Sequence, residues 1–204
     1  MYCWKRIPTK KKGHFNADIA WKTDKFALKS DRYIRQTLRY IRQIHYMEIQ
    51  ELVAEAMRKA GKTLATAESC TGGLIAHRIT AMAGASDYYR GGVVAYSNEV
   101  KECALGVSHA TLEAHGAVSE ETVREMVEGV RSRLGADYAV ATTGIAGPGG
   151  GTPAKPVGTV WIGIASEKET IARLLQLDGD RASIAHQTCN AVLGELLHML
   201  DCRR

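Results

Sequence analysis

The sequence lacks the patterns that mark secreted, membrane-spanning and zinc-binding proteins. No apolar run approaches the roughly 18 residues that a membrane span needs. The opening Met-Tyr-Cys-Trp-Lys-Arg is not followed by the apolar stretch of a secretion signal. The 5 cysteines form no C-x-x-C pair, and the 7 histidines form neither H-x-x-x-H nor H-E-x-x-H. We therefore expect a cytoplasmic protein with reduced thiols, no disulfide framework and no metal.

The charge of the chain is divided between two parts. Residues 1–46 contain 12 Lys/Arg against 3 Asp, a net charge of +9. Residues 47–204 contain 15 Lys/Arg against 19 Asp/Glu, a net charge of −4. The basic character therefore belongs to the first part, and we expect the second to bind neither nucleic acid nor membrane.

Residues 1–46 form a basic N-terminal extension. Apolar residues recur in it at helical spacing among four arginines: Ile34, Leu38, Ile41 and Ile44. Such a segment could be a membrane-surface helix, a nucleic-acid arm or a transit peptide. The composition changes at Met47, so we favour a tail translated upstream of the true start, disordered or loosely packed, that carries no chemistry.

From Met47 onward, helical and strand patterns alternate. Apolar periodicity predicts helices over 47–60, 74–82, 98–105, 119–134 and 180–200, and strands over 63–67, 92–97, 138–141, 158–165 and 170–177. We expect Asn98, Ser119 and Asp180 to cap their helices, and the last two strands to form a hairpin. This order predicts a three-layer α/β/α sandwich with a mixed, mostly parallel sheet.

The turn at 67–73, Ala-Glu-Ser-Cys-Thr-Gly-Gly, joins a buried strand to a helix. Ligand sites in α/β sheets gather at the carboxyl ends of strands, and a helix N-terminus offers N–H groups to a phosphate or an oxyanion. Gly72 and Gly73 would allow a ligand near the backbone. The alternative is that Ser69 caps the helix and the glycines serve packing. The G-x-S-x-G order of a nucleophile elbow is absent.

Two further segments could contribute to the same site. Residues 142–151 form a glycine-rich loop at a strand end, without the order of an NTPase loop or of G-x-G-x-x-G. Tyr96 ends a strand, and Lys101 follows in a helix. A serine needs a base to become a nucleophile, and a lysine serves if burial lowers its pKa. Without further information, the simpler interpretation is that Lys101 is a solvated lysine on its helix and that Tyr96 is an aromatic residue of the core.

Four motifs together resemble one family. They are A-E-S-C-T-G-G at 67–73, G-A-S-D-Y-Y-R-G-G-V-V-A-Y-S-N-E-V-K at 84–101, G-A-V-S-E at 116–120 and T-G-I-A-G-P-G-G-G-T at 143–152. In this order they resemble the CinA C-terminal family, the nicotinamide-nucleotide amidohydrolases also called PncC, over residues 47–204. The resemblance implies hydrolysis of nicotinamide mononucleotide to nicotinate mononucleotide and ammonia, in pyridine nucleotide salvage, without a cofactor.

The resemblance also implies roles for individual residues. Ser69 is the implied nucleophile and Lys101 its general base, with Tyr96 assisting. The implied substrate-binding residues are Glu68, Cys70, Thr71, Gly72, Gly73, Thr143, Gly144, Ile145, Ala146, Gly147 and Arg181. Arg181 would meet the phosphate, although Ala185 and His186 stand where similar proteins often carry another arginine. Which of the turn and the loop holds the phosphate, and which the oxyanion, stays open.

Several alternatives remain at this point. Cys70, beside Ser69 and near a helix N-terminus that would lower its pKa, could be the nucleophile. The domain could bind a nucleotide without catalysis, as a regulatory module, or cleave a different amide. The basic extension could bind nucleic acid. We rank the amidase first and expect a small-molecule nucleotide substrate and a homo-oligomer.

Overall fold

The computed structural model describes residues 48–201, so the predictions for residues 1–46 lie outside the described part. The helices are α1 (Ile49–Ala60), α2 (Leu74–Thr80), α3 (Asn98–Val100), α4 (His109–His115), α5 (Glu120–Arg133) and α6 (Arg181–Asp201). The strands are β1 (Leu64–Glu68), β2 (Tyr89–Val94), β3 (Tyr138–Gly144), β4 (Thr159–Ser166) and β5 (Thr170–Gln176). A π-helical turn, Lys101–Leu105, continues α3 and is called the π turn below.

The described strands form a five-stranded sheet in the order β2-β1-β3-β4-β5. β1 pairs in parallel with both β2 and β3, whereas β4 is antiparallel to β3 and to β5. Only β4 therefore runs against the direction of the other described strands. The predicted mixed, mostly parallel sheet is confirmed, and every residue of β1 is buried.

Helices cover both faces of the sheet. α1, α2 and α6 pack on one face, while α4, α5 and the π turn pack on the other. The second face is built from small side chains: Ala65, Ala67, Ala139, Ala141 and Ala165. A Cβ added at Gly163 would lie 3.1 Å from the Val123 carbonyl oxygen of α5, so that helix lies close to the strands. The predicted three-layer sandwich is confirmed.

Three local predictions differ from the structure. β2 begins and ends three residues earlier than predicted, because Tyr89 pairs with Leu64 and its hydroxyl bonds to Thr66. β3 continues to Gly144, because residues 142–144 pair with β4, a partner that is distant in the sequence. Ser97 rather than Asn98 caps α3, and Ser119 and Asp180 accept N–H bonds at their helices as predicted.

Candidate active site

The carboxyl ends of β1, β2 and β3 meet at one edge of the sheet, where α/β proteins place their sites. Ser69 follows β1 directly, and its N–H donates to the Thr142 carbonyl oxygen at 3.0 Å. An open cleft of about 670 Å³ lies beside it. The cleft is lined by Cys70, Thr71, Gly72, Tyr96, Asp180, Arg181, Ala182 and Ala185.

Lys101 meets Ser69 below this cleft. The Lys101 side chain is buried, and its Nζ lies 3.2 Å from Ser69 Oγ and 3.0 Å from the Ala95 carbonyl oxygen. The lysine is the first residue of the π turn, a distortion that often marks functional sites. The structure thus joins two residues 32 positions apart that the sequence alone left as separate candidates.

The surroundings of Lys101 make its ammonium form less favourable than that of an exposed lysine. Burial lowers the pKa of Lys101, and the nearby Cys70 and Glu99 raise it less. Among residues 48–201 no carboxylate forms an ion pair with it, since both of its hydrogen-bond partners are uncharged oxygens. A neutral amine can donate to the Ala95 carbonyl and keep a lone pair for the Ser69 hydroxyl proton.

The Glu68 carboxylate turns back onto the start of α2. Its Oε2 accepts from the N–H groups of Gly73 and Ile75 at 3.0 Å each, and its Oε1 accepts from Ala76 N–H at 2.8 Å. The Thr71 hydroxyl also donates to Oε2, at 2.7 Å. The prediction that this helix N-terminus offers free donors is therefore wrong for Gly73, Ile75 and Ala76. Glu68 holds the turn and does not face the cleft as a ligand.

Two N–H groups of the turn remain open. Within the described residues, the N–H groups of Cys70 and Thr71 have no oxygen acceptor. They follow Ser69 directly, and the left-handed backbone of Gly72 (φ 62°) and Gly73 (φ 100°) then turns the chain into α2. The turn can therefore offer two donors to an oxyanion formed at Ser69.

The thiol of Cys70 is poorly suited to nucleophilic attack. The side chain is buried, and this burial raises the pKa of Cys70 to about 11, outweighing a hydrogen bond with Thr142. The interpretation that the helix N-terminus lowers this pKa is wrong, because the Glu68 carboxylate lies at that terminus and raises it further. A thiol with this pKa is almost entirely protonated near neutral pH.

The end of β3 brings Thr143 to the site. Thr142 pairs with Glu68, so Thr143 lies beside Ser69 across neighbouring strands. The Thr143 hydroxyl donates to the Ala117 carbonyl oxygen at 2.7 Å, which leaves its oxygen free to accept. Gly144 belongs to β3, and Ile145 N–H donates to Thr159 at 2.9 Å.

Two N–H groups of the loop after β3 are candidates to bind a ligand. Ala146 and Gly147 are buried, yet in the described part of the chain no acceptor meets their N–H groups. Buried donors without a partner are rare in native structures and mark places where a ligand or water completes the bonding. The bond from Arg181, which lines the cleft, to the Gly147 carbonyl places these two donors close to it.

Tyr96 and Arg181 lie at the mouth of the cleft rather than beside the lysine. Tyr96 is 61% exposed, and its hydroxyl contacts the Arg181 guanidinium. Arg181 also donates to the Gly147 carbonyl oxygen at 2.8 Å. Tyr96 forms no hydrogen bond with Lys101 or Ser69 among the described residues, so the structure does not join it to that pair.

Sequence reasoning missed two backbone acceptors, the carbonyls of Ala95 and Ala117. They fix Lys101 and Thr143, respectively. No residue type signals such a role, because every residue carries a carbonyl. The G-A-V-S-E motif that contains Ala117 gave the one available signal.

Other features of the described residues lie away from this site. A second cleft of about 560 Å³ includes Lys62, Asp137 and Ser166, at the opposite edge of the sheet. We place the candidate site at Ser69, because a serine hydroxyl and a buried lysine meet there. Among residues 48–201, no group of three or more His, Cys, Asp or Glu side chains could hold a metal ion. No helix in that range is long and apolar enough to cross a membrane.

Comparison with known proteins gives consistent matches. Residues 47–200 match the family model described as CinA C-terminal domain. A CinA-like protein of Salinibacter ruber is 50% identical over 153 residues, 75% of this chain and 37% of the relative. A competence-damage inducible protein of Thermoanaerobacter sp. (strain X514) is 50% identical over 157 residues, 77% of this chain and 36% of the relative. The chain thus spans little more than a third of the length of these curated relatives.

Solved structures agree in fold over a larger share of their chains. The competence damage-inducible protein A (ComA) of Klebsiella pneumoniae has a TM-score of 0.73 and 38% identity, covering 75% of this chain and 95% of that one. The competence/damage inducible protein CihA of Agrobacterium tumefaciens has a TM-score of 0.71 and 40% identity, with the same two shares.

Proposed function

Since the chain belongs to the CinA C-terminal domain family, we propose that its site hydrolyses the carboxamide of nicotinamide mononucleotide. The products are nicotinate mononucleotide and ammonia, as in pyridine nucleotide salvage. One observation carries the proposal: the buried Lys101 amine lies 3.2 Å from Ser69 Oγ and has no carboxylate partner among the described residues. That arrangement supplies a base to a serine at the carboxyl edge of the sheet.

The first half of the reaction is acyl transfer to Ser69. Ser69 Oγ attacks the carboxamide carbon while Lys101 Nζ takes the hydroxyl proton. The carbonyl oxygen becomes an oxyanion, which the open N–H groups of Cys70 and Thr71 can stabilise. Lys101 then gives its proton to the amide nitrogen, the C–N bond breaks and ammonia leaves. An ester between Ser69 and the nicotinate group remains.

The second half is hydrolysis of that ester. Water attacks the ester carbon, and Lys101 takes a proton from it. The C–O bond to Ser69 breaks, and Lys101 returns the proton to Ser69 Oγ. The carboxylate product carries the water oxygen, so the enzyme is regenerated without an oxidant, a reductant or a metal.

In this proposal the substrate phosphate and the oxyanion bind to different segments of the site. Glu68 occupies the start of α2 with its own carboxylate, which disfavours a substrate phosphate there. The phosphate is therefore assigned to Arg181 and the N–H groups of Ala146 and Gly147. The oxyanion is assigned to the turn after Ser69. Tyr96, at the mouth of the cleft, would then contact the substrate rather than assist Lys101.

The test is ammonia release from nicotinamide mononucleotide by the full chain in the presence of EDTA. Ser69→Ala and Cys70→Ala form a matched pair of neighbouring substitutions. We expect Ser69→Ala to lower the rate by about 10³-fold or more, as loss of a nucleophile does, and Cys70→Ala to retain it.

Other outcomes separate the alternatives. If Cys70→Ala loses activity and Ser69→Ala retains it, the nucleophile is the Cys70 thiol and not the Ser69 hydroxyl. Tight nucleotide binding without ammonia release by the folded parent would favour a regulatory binding module. Release from another amide but not from this nucleotide would keep the chemistry and replace the substrate.

A further inference from the structure

The loop between β3 and β4, residues 145–158, contains most of the glycine-rich segment predicted from the sequence and is called the glycine-rich loop from here on. Backbone bonds close it at its base. Ile145 N–H donates to the Thr159 carbonyl at 2.9 Å, and Gly158 N–H donates to the Ile145 carbonyl at 2.8 Å. Further out, Thr152 and Lys155 exchange backbone bonds in a tight turn. This turn directs the Lys155 side chain away from the base of the loop.

The Lys155 ammonium reaches a second segment, the turn at residues 115–118 after α4. Its Nζ donates to the carbonyl oxygens of His115 at 3.1 Å and Val118 at 2.8 Å. The last carbonyls of a helix are unsatisfied acceptors that a lysine can fill, and the helix dipole favours a cation there. Lys155 therefore ties the glycine-rich loop to the end of α4.

The same turn also fixes Thr143. The Ala117 carbonyl, which lies between the two acceptors of Lys155, accepts the Thr143 hydroxyl at 2.7 Å. Gly116 within this turn has a left-handed backbone (φ 78°), a conformation that favours glycine, and a Cβ added there would make only an ordinary contact with Nζ, at 3.9 Å. The reaction steps proposed above use neither the G-A-V-S-E motif nor Lys155. The turn at residues 115–118, which contains the first part of this motif, therefore fixes both Thr143 and, through Lys155, the glycine-rich loop.

We propose that Lys155 is a positioning residue that holds the glycine-rich loop on the 115–118 turn and so sets the geometry of the substrate-binding donors. This role rests on the proposed function in so far as the ligand is an anionic nucleotide. Lys155 itself does not touch the reacting atoms. Its loss weakens substrate binding by the loop and leaves the Ser69–Lys101 pair in place.

The experiment compares Lys155→Met, Lys155→Arg and a matched control, Lys168→Met, in the full chain. Lys168 is an exposed lysine in the β4–β5 turn. Steady-state kinetics on nicotinamide mononucleotide should show KM raised about tenfold in Lys155→Met, with kcat within about threefold of the parent. Lys155→Arg should recover most of the KM, because a guanidinium can donate to both carbonyls, and Lys168→Met should match the parent.

Hydrogen exchange measured by mass spectrometry gives a readout that needs no turnover. Amides of residues 145–158 should exchange faster in Lys155→Met than in the parent, while those of β1 should not change. Unchanged exchange in the loop, or a fall in kcat at constant KM, would overturn the proposal. If the parent does not hydrolyse the nucleotide, the proposed function fails, and the exchange comparison still decides whether Lys155 holds the loop.

Discussion

At the scale of single residues, the reactivity of the site depends on where Lys101 is buried. An exposed lysine stays protonated at neutral pH and cannot accept a proton. Burial without a carboxylate partner lowers the pKa of Lys101 because the ammonium loses its hydration. The Nζ atom of this lysine lies 3.2 Å from Ser69 Oγ, so the group with the lowered pKa is the one that meets the serine.

Replacing Lys101 with Met should remove activity while preserving the fold. Met fills a similar volume without an amine, so ammonia release should fall by about 10²- to 10⁴-fold, the usual contribution of a general base. The thermal midpoint should stay close to that of the parent, because the loss of a bond to Ala95 is offset by no longer burying an amine. Calorimetry and kinetics on one preparation test both statements, with Lys168→Met as control.

The pH dependence of the same variant gives a second test. The folded pKa of Lys101 is lower than its ordinary value of 10.5, so the unfolded chain binds more protons between those two values. The free energy of unfolding of the parent therefore gains a contribution that rises with pH across this window. Lys101→Met should lack that contribution. Parallel slopes for parent and variant, measured by urea denaturation at several pH values, would contradict the assigned pKa shift.

At the scale of elements, the start of α2 depends on one carboxylate. Glu68→Gln keeps one acceptor oxygen and replaces the other with an NH₂ group, which cannot accept a hydrogen bond. Either the N–H groups of Gly73 and Ile75, which share Oε2, or that of Ala76, which bonds to Oε1, then lose their acceptor. We expect a loss of about 2–4 kcal/mol in the free energy of unfolding, because buried donors lose a charged acceptor. Activity should fall as well, since Ser69 adjoins this turn. Urea denaturation measures the change, and Glu55→Gln, on the exposed face of α1, should be neutral.

The π turn depends on a close approach of α5. A Cβ added at Gly129 would lie 1.8 Å from the Leu105 carbonyl oxygen, so Gly129→Ala must push the π turn and Lys101 away from their positions. Overpacking of this kind costs about 1–3 kcal/mol, and we expect kcat to fall with it. Gly194→Ala is the matched control, because a Cβ there meets only Ile49 Cδ1, at 4.0 Å. An active Gly129→Ala with an unshifted melting point would show that the turn tolerates the displacement.

The sequence predicted the elements better than their junctions. The hairpin of β4 and β5 agrees with the prediction within one residue, because its apolar runs and its turn are local signals. Local patterns could not reveal that residues 142–144 join β3, since that depends on pairing with β4. They also could not show that Glu68 bonds to α2, because a carboxylate beside a serine is equally compatible with a ligand. The alignment of Ser69 with Lys101 required the resemblance, since proximity across 32 residues leaves no periodicity.

At the scale of the whole molecule, the two ends of the parallel strands β1 and β3 differ in function. The carboxyl edge of β1 and β3 carries the site, while the opposite edge carries a polar clasp. Asp137 accepts from Thr63 N–H at 2.9 Å, from the Thr63 hydroxyl at 2.8 Å and from Lys62 Nζ at 2.8 Å. This clasp joins the starts of β1 and β3 without touching the site.

Replacing Asp137 with Asn should lower stability and leave kcat unchanged. Burial raises the pKa of Asp137, but the bonds from Lys62 and Thr63 outweigh it and lower the pKa to about 2. A carboxyl with a lowered folded pKa stabilises the protein above its unfolded value of 3.8, and that stability is lost as the pH falls towards 2. The group is partly exposed, so we expect only about 1 kcal/mol at neutral pH.

Urea denaturation between pH 7 and the acid limb measures this effect. The parent should lose stability more steeply than Asp137→Asn as Asp137 becomes protonated. Equal acid slopes would show that the clasp contributes nothing through its charge. A fall in kcat would show that the two edges of the sheet are coupled.

The alternation of side chains along an extended chain has a consequence at the end of β1. Glu68 bonds to α2 on one side of the sheet, and the next residue, Ser69, meets Lys101 on the other. The sheet thus separates the Glu68 carboxylate from the Lys101 amine, although Glu68 is the immediate neighbour of Ser69 in the sequence. Glu68 is accordingly not among the charges that raise the pKa of Lys101. A shift of β1 by one residue in its register would place the Glu68 carboxylate next to the Lys101 amine. The resulting ion pair would raise the pKa of Lys101, and the lysine would no longer act as a base.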